Sequence, residues 1–193
     1  MGPTQIIFTA LGVLIFVVVF VYIVVFNGLI SAKQKVKEAW SGIDVQLKKR
    51  YDLVPNLVQT VKGYAEHESS TLEKVIAARS AAINVPEGQV AEQAGAENML
   101  TGTLKSLFAV SESYPNLKAD QNFLGLQQQL SDLETQISSA RRIYNANVNE
   151  LNVKIESFPS NIVAGIHNFS VLEFFEMDEL EKKEAEKAPK VEF

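Results

Sequence analysis

Apolar residues fill the first thirty positions of the chain, and after that they recur at helical spacing. Residues 6–26 carry no charge and are dominated by Ile, Leu, Val and Phe. As a helix they would be about 31 Å long, which matches a hydrocarbon core of about 30 Å. A cleaved leader would need Lys or Arg ahead of the apolar run, and residues 1–5 have neither. The pattern therefore predicts a retained membrane span over 6–28 behind a short N-terminus, residues 1–5. Within residues 6–26 the only small residues are Thr9, Ala10 and Gly12, with no GxxxG, so helix pairing within the bilayer is weakly signalled.

Beyond the span, Val36, Trp40, Ile43, Leu47, Val54, Leu57, Val58, Val61 and Ala65 follow one another in steps of helical period. No turn cluster separates them from the span, so one helix is expected to leave the bilayer and continue. Pro55 keeps the phase of the stripe and predicts a kink. Ser70-Thr71-Leu72-Glu73 has the form of a capping box and predicts a second helix, with Leu72, Val75, Ile76, Arg79 and Ile83 on one face. The turn at Pro86-Glu87-Gly88 ends it. A third helix is expected from about Gln89 to Ser113, with Leu100, Leu104, Leu107, Phe108 and Ser111 in register. Asp120 can cap a fourth, whose stripe runs from Phe123 to Ile155. The stop is Phe158-Pro159-Ser160-Asn161, and only 171–175 could be a strand. The fold class expected is all-α: a membrane helix followed by an antiparallel four-helix bundle over residues 29–177.

Charge sharpens this picture. The formal net charge is -5, yet no Asp, Glu, Lys or Arg precedes Lys33. Residues 31–50 hold six basic side chains against two acids, so the positive-inside rule predicts an outside N-terminus and a cytoplasmic C-terminal domain in the inner membrane. From Glu173 onward there are eight acids and four bases, and 178–193 reads as a disordered acidic tail. The absence of Cys excludes thiol catalysis, disulfides and cysteine-ligated metals. An acidic balance argues against nucleic acid as a partner.

Two blocks resemble a known family. One starts at Ala39-Trp40-Ser41-Gly42-Ile43, passes through Lys48-Lys49-Arg50-Tyr51-Asp52-Leu53-Val54-Pro55-Asn56 and reaches Gly63-Tyr64-Ala65-Glu66-His67-Glu68. The other comprises Glu112-Ser113-Tyr114-Pro115-Asn116-Leu117, Ala140-Arg141-Arg142-Ile143-Tyr144-Asn145 and Phe158-Pro159-Ser160-Asn161. Both resemble the LemA family, over residues 8–176, with the acidic tail outside the pattern. The resemblance implies a bacterial membrane protein with one N-terminal span, a cytoplasmic helical bundle, and no established enzymatic activity or cofactor. It also implies a link to membrane organisation or envelope stress, with a membrane metallopeptidase or a TPM-domain protein as a partner.

Candidate chemistry is sparse. GxxxxGK[ST], GxSxG and HExxH do not occur. Glu66, His67 and Glu68 look like a metal or acid–base cluster, but consecutive helical residues point about 100° apart and cannot converge without a bend. No catalytic, cofactor or metal residue is therefore expected. Lys33, Lys35 and Lys37 are placed to touch lipid headgroups. Lys48, Lys49 and Arg50 begin about 33 Å beyond Phe26 on a straight helix, well past a Debye length of about 8–10 Å. They are candidates for ion pairs or a partner patch. Trp40 is expected to pack in the core near the bilayer. Asn145, Asn149 and Asn152 share one face of the fourth helix, and Asn is a poor interior helix former. A structural hydrogen-bond network to Asp44, Gln46 or Arg79 would account for them.

The expected function is a non-enzymatic membrane-anchored scaffold that self-associates. A sensor or signalling adaptor hinged at Pro55 is the alternative, and a hydrolase built on Glu66, His67 and Glu68 is the third.

Overall fold

A computed structural model describes residues 2–176; the expected acidic tail at 178–193 lies outside the described residues. Among these the chain is helical and has no strand. The elements are α1 (Pro3–Lys62), a 3-10 turn (Glu66–Glu68), α2 (Ser69–Ile83), α3 (Val90–Ser111), α4 (Pro115–Lys118), α5 (Gln121–Glu156) and α6 (Ser160–Ile166). Residues 171–175 are irregular, not a strand. Pro55 lies inside α1 without breaking it. α6 was hidden from sequence reasoning by Pro159, which reads as a stop yet stands immediately before a new helix.

Compactness divides the chain into two units, Met1–Trp40 with Ile143–Leu172, and Ser41–Arg142 with Glu173–Phe193.

In the first unit, apolar side chains of α1 from Ile7 to Val24 face outward; Phe8 is 73% and Phe16 70% exposed. Apolar surface on this scale has no place in water, and the helix is long enough to cross a bilayer. The chain is a membrane-associated protein. Cover begins at Val25 and Phe26, and Leu29 and Ala32 on one face of α1 are fully buried while Ile30 stays exposed. α6 supplies Val163 and Ala164 to the interior of this unit. It ends in a Schellman turn: Asn168 takes a left-handed φ of 55°, its N–H bonds to the Gly165 carbonyl, and the Phe169 N–H bonds to the Ala164 carbonyl. Asn is one of the few residues other than Gly that adopt this conformation at modest cost. The chain then meets α5, where Asn152 both donates to the Leu172 carbonyl and accepts from the Leu172 N–H, each at 2.9 Å.

In the second unit, the last third of α1, then α2, α3 and the first part of α5 share one core. Val54, Leu57 and Val61 meet it from α1, Val75 from α2, Leu100 and Leu107 from α3, Phe123 and Ile137 from α5. Two hydrogen bonds tie one end together: Tyr64, just past α1, donates to Asp120 at 2.9 Å, and Tyr114, just past α3, donates to Glu68 at 3.2 Å. That end therefore holds the finish of α1 and α3 and the start of α2 and α5, which is an up-down-up-down bundle. Asp120 caps α5 as its position predicts, accepting from the Phe123 N–H at 2.9 Å. This bond, together with the one from Tyr64, holds the Asp120 carboxyl below its usual range.

Two expectations for α2 are corrected. Ser70 does not cap it, because the 3-10 turn feeds directly into a helix that starts at Ser69 with no side-chain cap. Its buried face is Leu72, Val75, Ala78 and Ala82, which leaves Ile76 and Ile83 exposed. The alanines carry this stripe, and they are easily overlooked among larger apolar residues. Between α2 and α3, Gly88 takes φ +92°, a conformation that side chains rarely adopt.

Candidate functional site

The densest grouping of ionisable side chains lies inside the second unit. Arg50 sits on α1 between Leu47 and Val54, three and four residues away, so the apolar stripe carries it inward. It is 2% exposed. Its guanidinium lies 3.1 Å from the Glu134 carboxylate and 3.6 Å from that of Glu97, and donates to the Thr101 hydroxyl. Glu97 is 3% exposed, three residues before Leu100 on the buried face of α3.

Neighbouring groups close the cluster. The Tyr51 hydroxyl donates to Glu97 Oε1, which also accepts from Gln93 Nε2 at 3.0 Å. Gln93 donates further to the Tyr51 hydroxyl at 3.1 Å and to the Ala82 carbonyl at 3.2 Å. Arg79 Nε donates to the Tyr51 carbonyl at 2.7 Å, which matters because Pro55 supplies no N–H to that carbonyl. Glu97 Oε2 accepts no hydrogen bond, so Arg50 meets it by charge alone.

Burial dominates the electrostatics. It raises the Glu97 carboxyl above the usual range, against the opposing pull of Tyr51, Arg50 and Gln93. It also pushes the Tyr51 phenol far up, and the Glu97 charge adds to that. One guanidinium faces two carboxylates, only one of them buried. Such a cluster holds a proton tightly and fixes the register of three helices.

The candidates from sequence are distributed as follows. Lys48 and Lys49 separate from Arg50 and face water. Lys48 pairs with Asp44 at 2.8 Å, which raises its pKa, and Lys49 donates to Gln46 at 3.3 Å. Asp44 and Gln46 thus bond to lysines of their own helix, while Arg79 serves Tyr51 and Asn152 serves Leu172. Turn-to-turn spacing on α1 brings the lysines within reach of Asp44 and Gln46. Asn145 is half-buried and Asn149 exposed.

Lys33, Lys35 and Lys37 are exposed. Lys33 lies 5.6 Å over the Phe169 ring and Lys35 3.5 Å from Glu150. Lys154 bonds to Glu150 more closely, at 2.6 Å, and holds that carboxyl below its usual range. Trp40 is half-buried, edge-on to Tyr144 at 5.5 Å. Glu66 and His67 are exposed on the 3-10 turn, and Glu68 is engaged by Tyr114. Among the described residues no three His, Asp or Glu group as a metal site requires.

Three features escaped sequence reasoning. The first is the burial of Arg50, which was expected only as an ion-pair or partner residue; it and its partner Glu97 fill gaps in otherwise apolar stripes, and that register was the available signal. Arg141 is also buried; it stacks on the Phe175 ring at 4.9 Å and donates to the Glu176 carbonyl at 2.7 Å. The third is a groove of about 480 Å³ between α1 and α2, floored by Val54, Pro55, Val58, Leu72 and Ile76 and rimmed by Lys62, Glu66, Glu73 and Arg79.

Comparison with known proteins now adds to the geometry. The chain is 28% identical to Protein LemA of Metamycoplasma hominis over 165 residues, which is 84% of this chain and 74% of that protein. It is 24% identical to Magnetosome protein MamQ of Magnetospirillum gryphiswaldense and 23% identical to Magnetosome protein MamQ 2 of Paramagnetospirillum magneticum. Each match covers 78% of this chain, which spans only 64% of those relatives' length. The model of the LemA family matches residues 39–193. That range takes in the acidic tail, which the expected range left out. With four fifths of its length matched, the chain belongs to the LemA family.

Proposed function

We propose that this protein is a non-enzymatic scaffold, anchored by α1 in the cytoplasmic membrane, that assembles with copies of itself and helps to organise the membrane or its response to envelope stress. One observation carries the reading. The ionisable groups Arg50, Glu97 and Tyr51 are buried and joined through Glu97, while apolar Ile76, Ile83 and Met99 are turned outward. Arg50, Thr101 and Glu134 also line a small pocket of about 270 Å³, so it is the outward apolar side chains that favour an assembling module. The MamQ relatives are named magnetosome proteins, which is consistent with a part in membrane organisation. The excess of Lys and Arg in residues 31–50 supports an outside N-terminus and a cytoplasmic bundle. Lys33, Lys35 and Lys37 then contact anionic headgroups, at about 1 kcal/mol per charge near the surface.

Crosslinking in native membranes with mass spectrometry tests this. Links between identical peptides support the scaffold, whereas links confined to a different protein contradict it.

The groove beside Pro55 favours a second reading, that of an adaptor. A partner such as a membrane metallopeptidase or a TPM-domain protein, lodged against Pro55, would bias α1 at the one residue where its ladder lacks a bond. Pro55→Ala should then alter partner-dependent output with helix content nearly unchanged; unaltered output counts against the adaptor.

A further inference from the structure

We infer that α6, with the turn just ahead of it, is a second membrane-contacting element, which lies in the bilayer interface beside the α1 span and inserts Phe158, Ile162 and Ile166 among the lipids. The inference rests on reading the apolar part of α1 as a membrane span. It goes beyond that reading, because nothing in the span requires a later segment of the chain to enter the bilayer.

The depth of α6 comes from its contacts. His167, at its C-terminal end, lies with Nε2 2.6 Å from the Tyr22 hydroxyl and its ring 4.5 Å from that of Phe26. Tyr22 and Phe26 belong to the uncharged run of α1, and the first charged residue, Lys33, comes eleven positions after Tyr22. Along a helix that separation is about 16 Å. Side chains on a helix tilt toward its N-terminus, so the Tyr22 hydroxyl lies farther still from Lys33. With the hydrocarbon core over residues 6–26, His167 stands at its edge, where Tyr and other half-polar rings are favoured. Lys33, over the Phe169 ring, marks the headgroup side of the same segment.

The surface of α6 agrees with this depth. Val163 and Ala164 face the interior of the unit, while Ile162 and Ile166, one turn apart on α6, and Phe158, in the turn ahead of it, are 55%, 62% and 79% exposed. Residues 157–172 contain no Asp, Glu, Lys or Arg, the longest such stretch after the first 32 residues. Exposed apolar side chains without charge, fixed alongside the apolar segment of α1, are what an interfacial segment requires. The Schellman turn at Asn168 and the paired bonds of Asn152 to Leu172 hold the segment in place from its far side.

The chain has no cysteine, so single-cysteine labelling of the full-length protein is free of background. Ile162→Cys, Ile166→Cys and Phe158→Cys would each carry an environment-sensitive fluorophore in phosphatidylcholine–phosphatidylglycerol vesicles. Val18→Cys serves as the lipid reference and Lys74→Cys as the water reference, with helix content checked by circular dichroism. Labels at 158, 162 and 166 should lose most of their emission to nitroxide-bearing lipids, as at 18, and little to aqueous iodide. Iodide quenching at 162 and 166 equal to that at 74, with 18 still reporting lipid, overturns the inference and leaves the span standing. Iodide quenching at 18 as well overturns both. Shielding from both quenchers, whether or not it vanishes on dilution into excess lipid, means cover by protein and also overturns the inference.

Discussion

The two ends of α1 obey opposite rules. Before Val25 its apolar side chains face outward on every side; after Ser41 they retreat to one face and even a guanidinium, that of Arg50, goes inside with them. The backbone is the same, and what differs is the solvent. In lipid an apolar exterior costs nothing and a charge is excluded, whereas in water the apolar stripe must be covered and a charge is admitted only with partners. The contrast teaches that exposure must be judged against the medium: outward Phe16 is in its proper place, and Arg50 needs Glu97, Glu134 and Thr101 to be where it is.

The largest effect expected comes from breaking the inward charge. Arg50→Met leaves Glu97 buried without its cation and should cost about 3–5 kcal/mol in chemical unfolding. The double variant Arg50→Met, Glu97→Leu should recover most of that loss, and failure to recover would mean that the cluster is not the reason Arg50 is inside. The mirror experiment places a charge outside in the other medium. Val18→Arg should cost about 2.5–3.5 kcal/mol of insertion and shift protein out of the carbonate-resistant membrane fraction. Retention as in the wild type would argue that this end of α1 does not span.

A smaller effect concerns pH. The Glu97 carboxyl is raised in the fold, so its contribution to stability is full below the unfolded carboxylate range and is lost as pH rises through the folded value. Glu97→Gln should therefore flatten the decline in stability on going from acid toward neutral pH. Asp120 is lowered by its cap and works in the opposite sense: its contribution is present above its usual range and is lost as pH falls. Asp120→Asn should remove part of the acid-side loss. A melting-temperature profile against pH of the wild type and both variants separates the two. Smallest of all, Lys48→Ala breaks only an exposed pair one turn apart and should leave unfolding unchanged within error. A measurable loss there would mean that the exposed face of α1 is less like a water-facing surface than the contrast requires.

Much of the fold was legible, because a helical period survives any detail of packing. The phase of α1 across Pro55, the cap at Asp120 and the α5 stripe from Phe123 to Leu151 could be read directly. What could not be read had physical reasons. Arg50 and Glu97 are charged types that a pattern of apolar positions skips, although both keep register with it. Ala78 and Ala82 pack without looking like core. α6 follows a proline that signals an ending, and its neighbours Tyr22 and Phe26 lie more than a hundred residues away in sequence. The lysines of α1 are close in sequence to Arg50 but differ from it by the angle at which a helix presents them.

The central claim is that a helical module which leaves apolar side chains such as Ile76, Ile83 and Met99 outside works by assembling. Light scattering from the full-length protein, solubilised in detergent and followed over a wide concentration range, tests it most directly. The account predicts a mass that rises with concentration to several copies per particle. A mass of one copy at every concentration would contradict it.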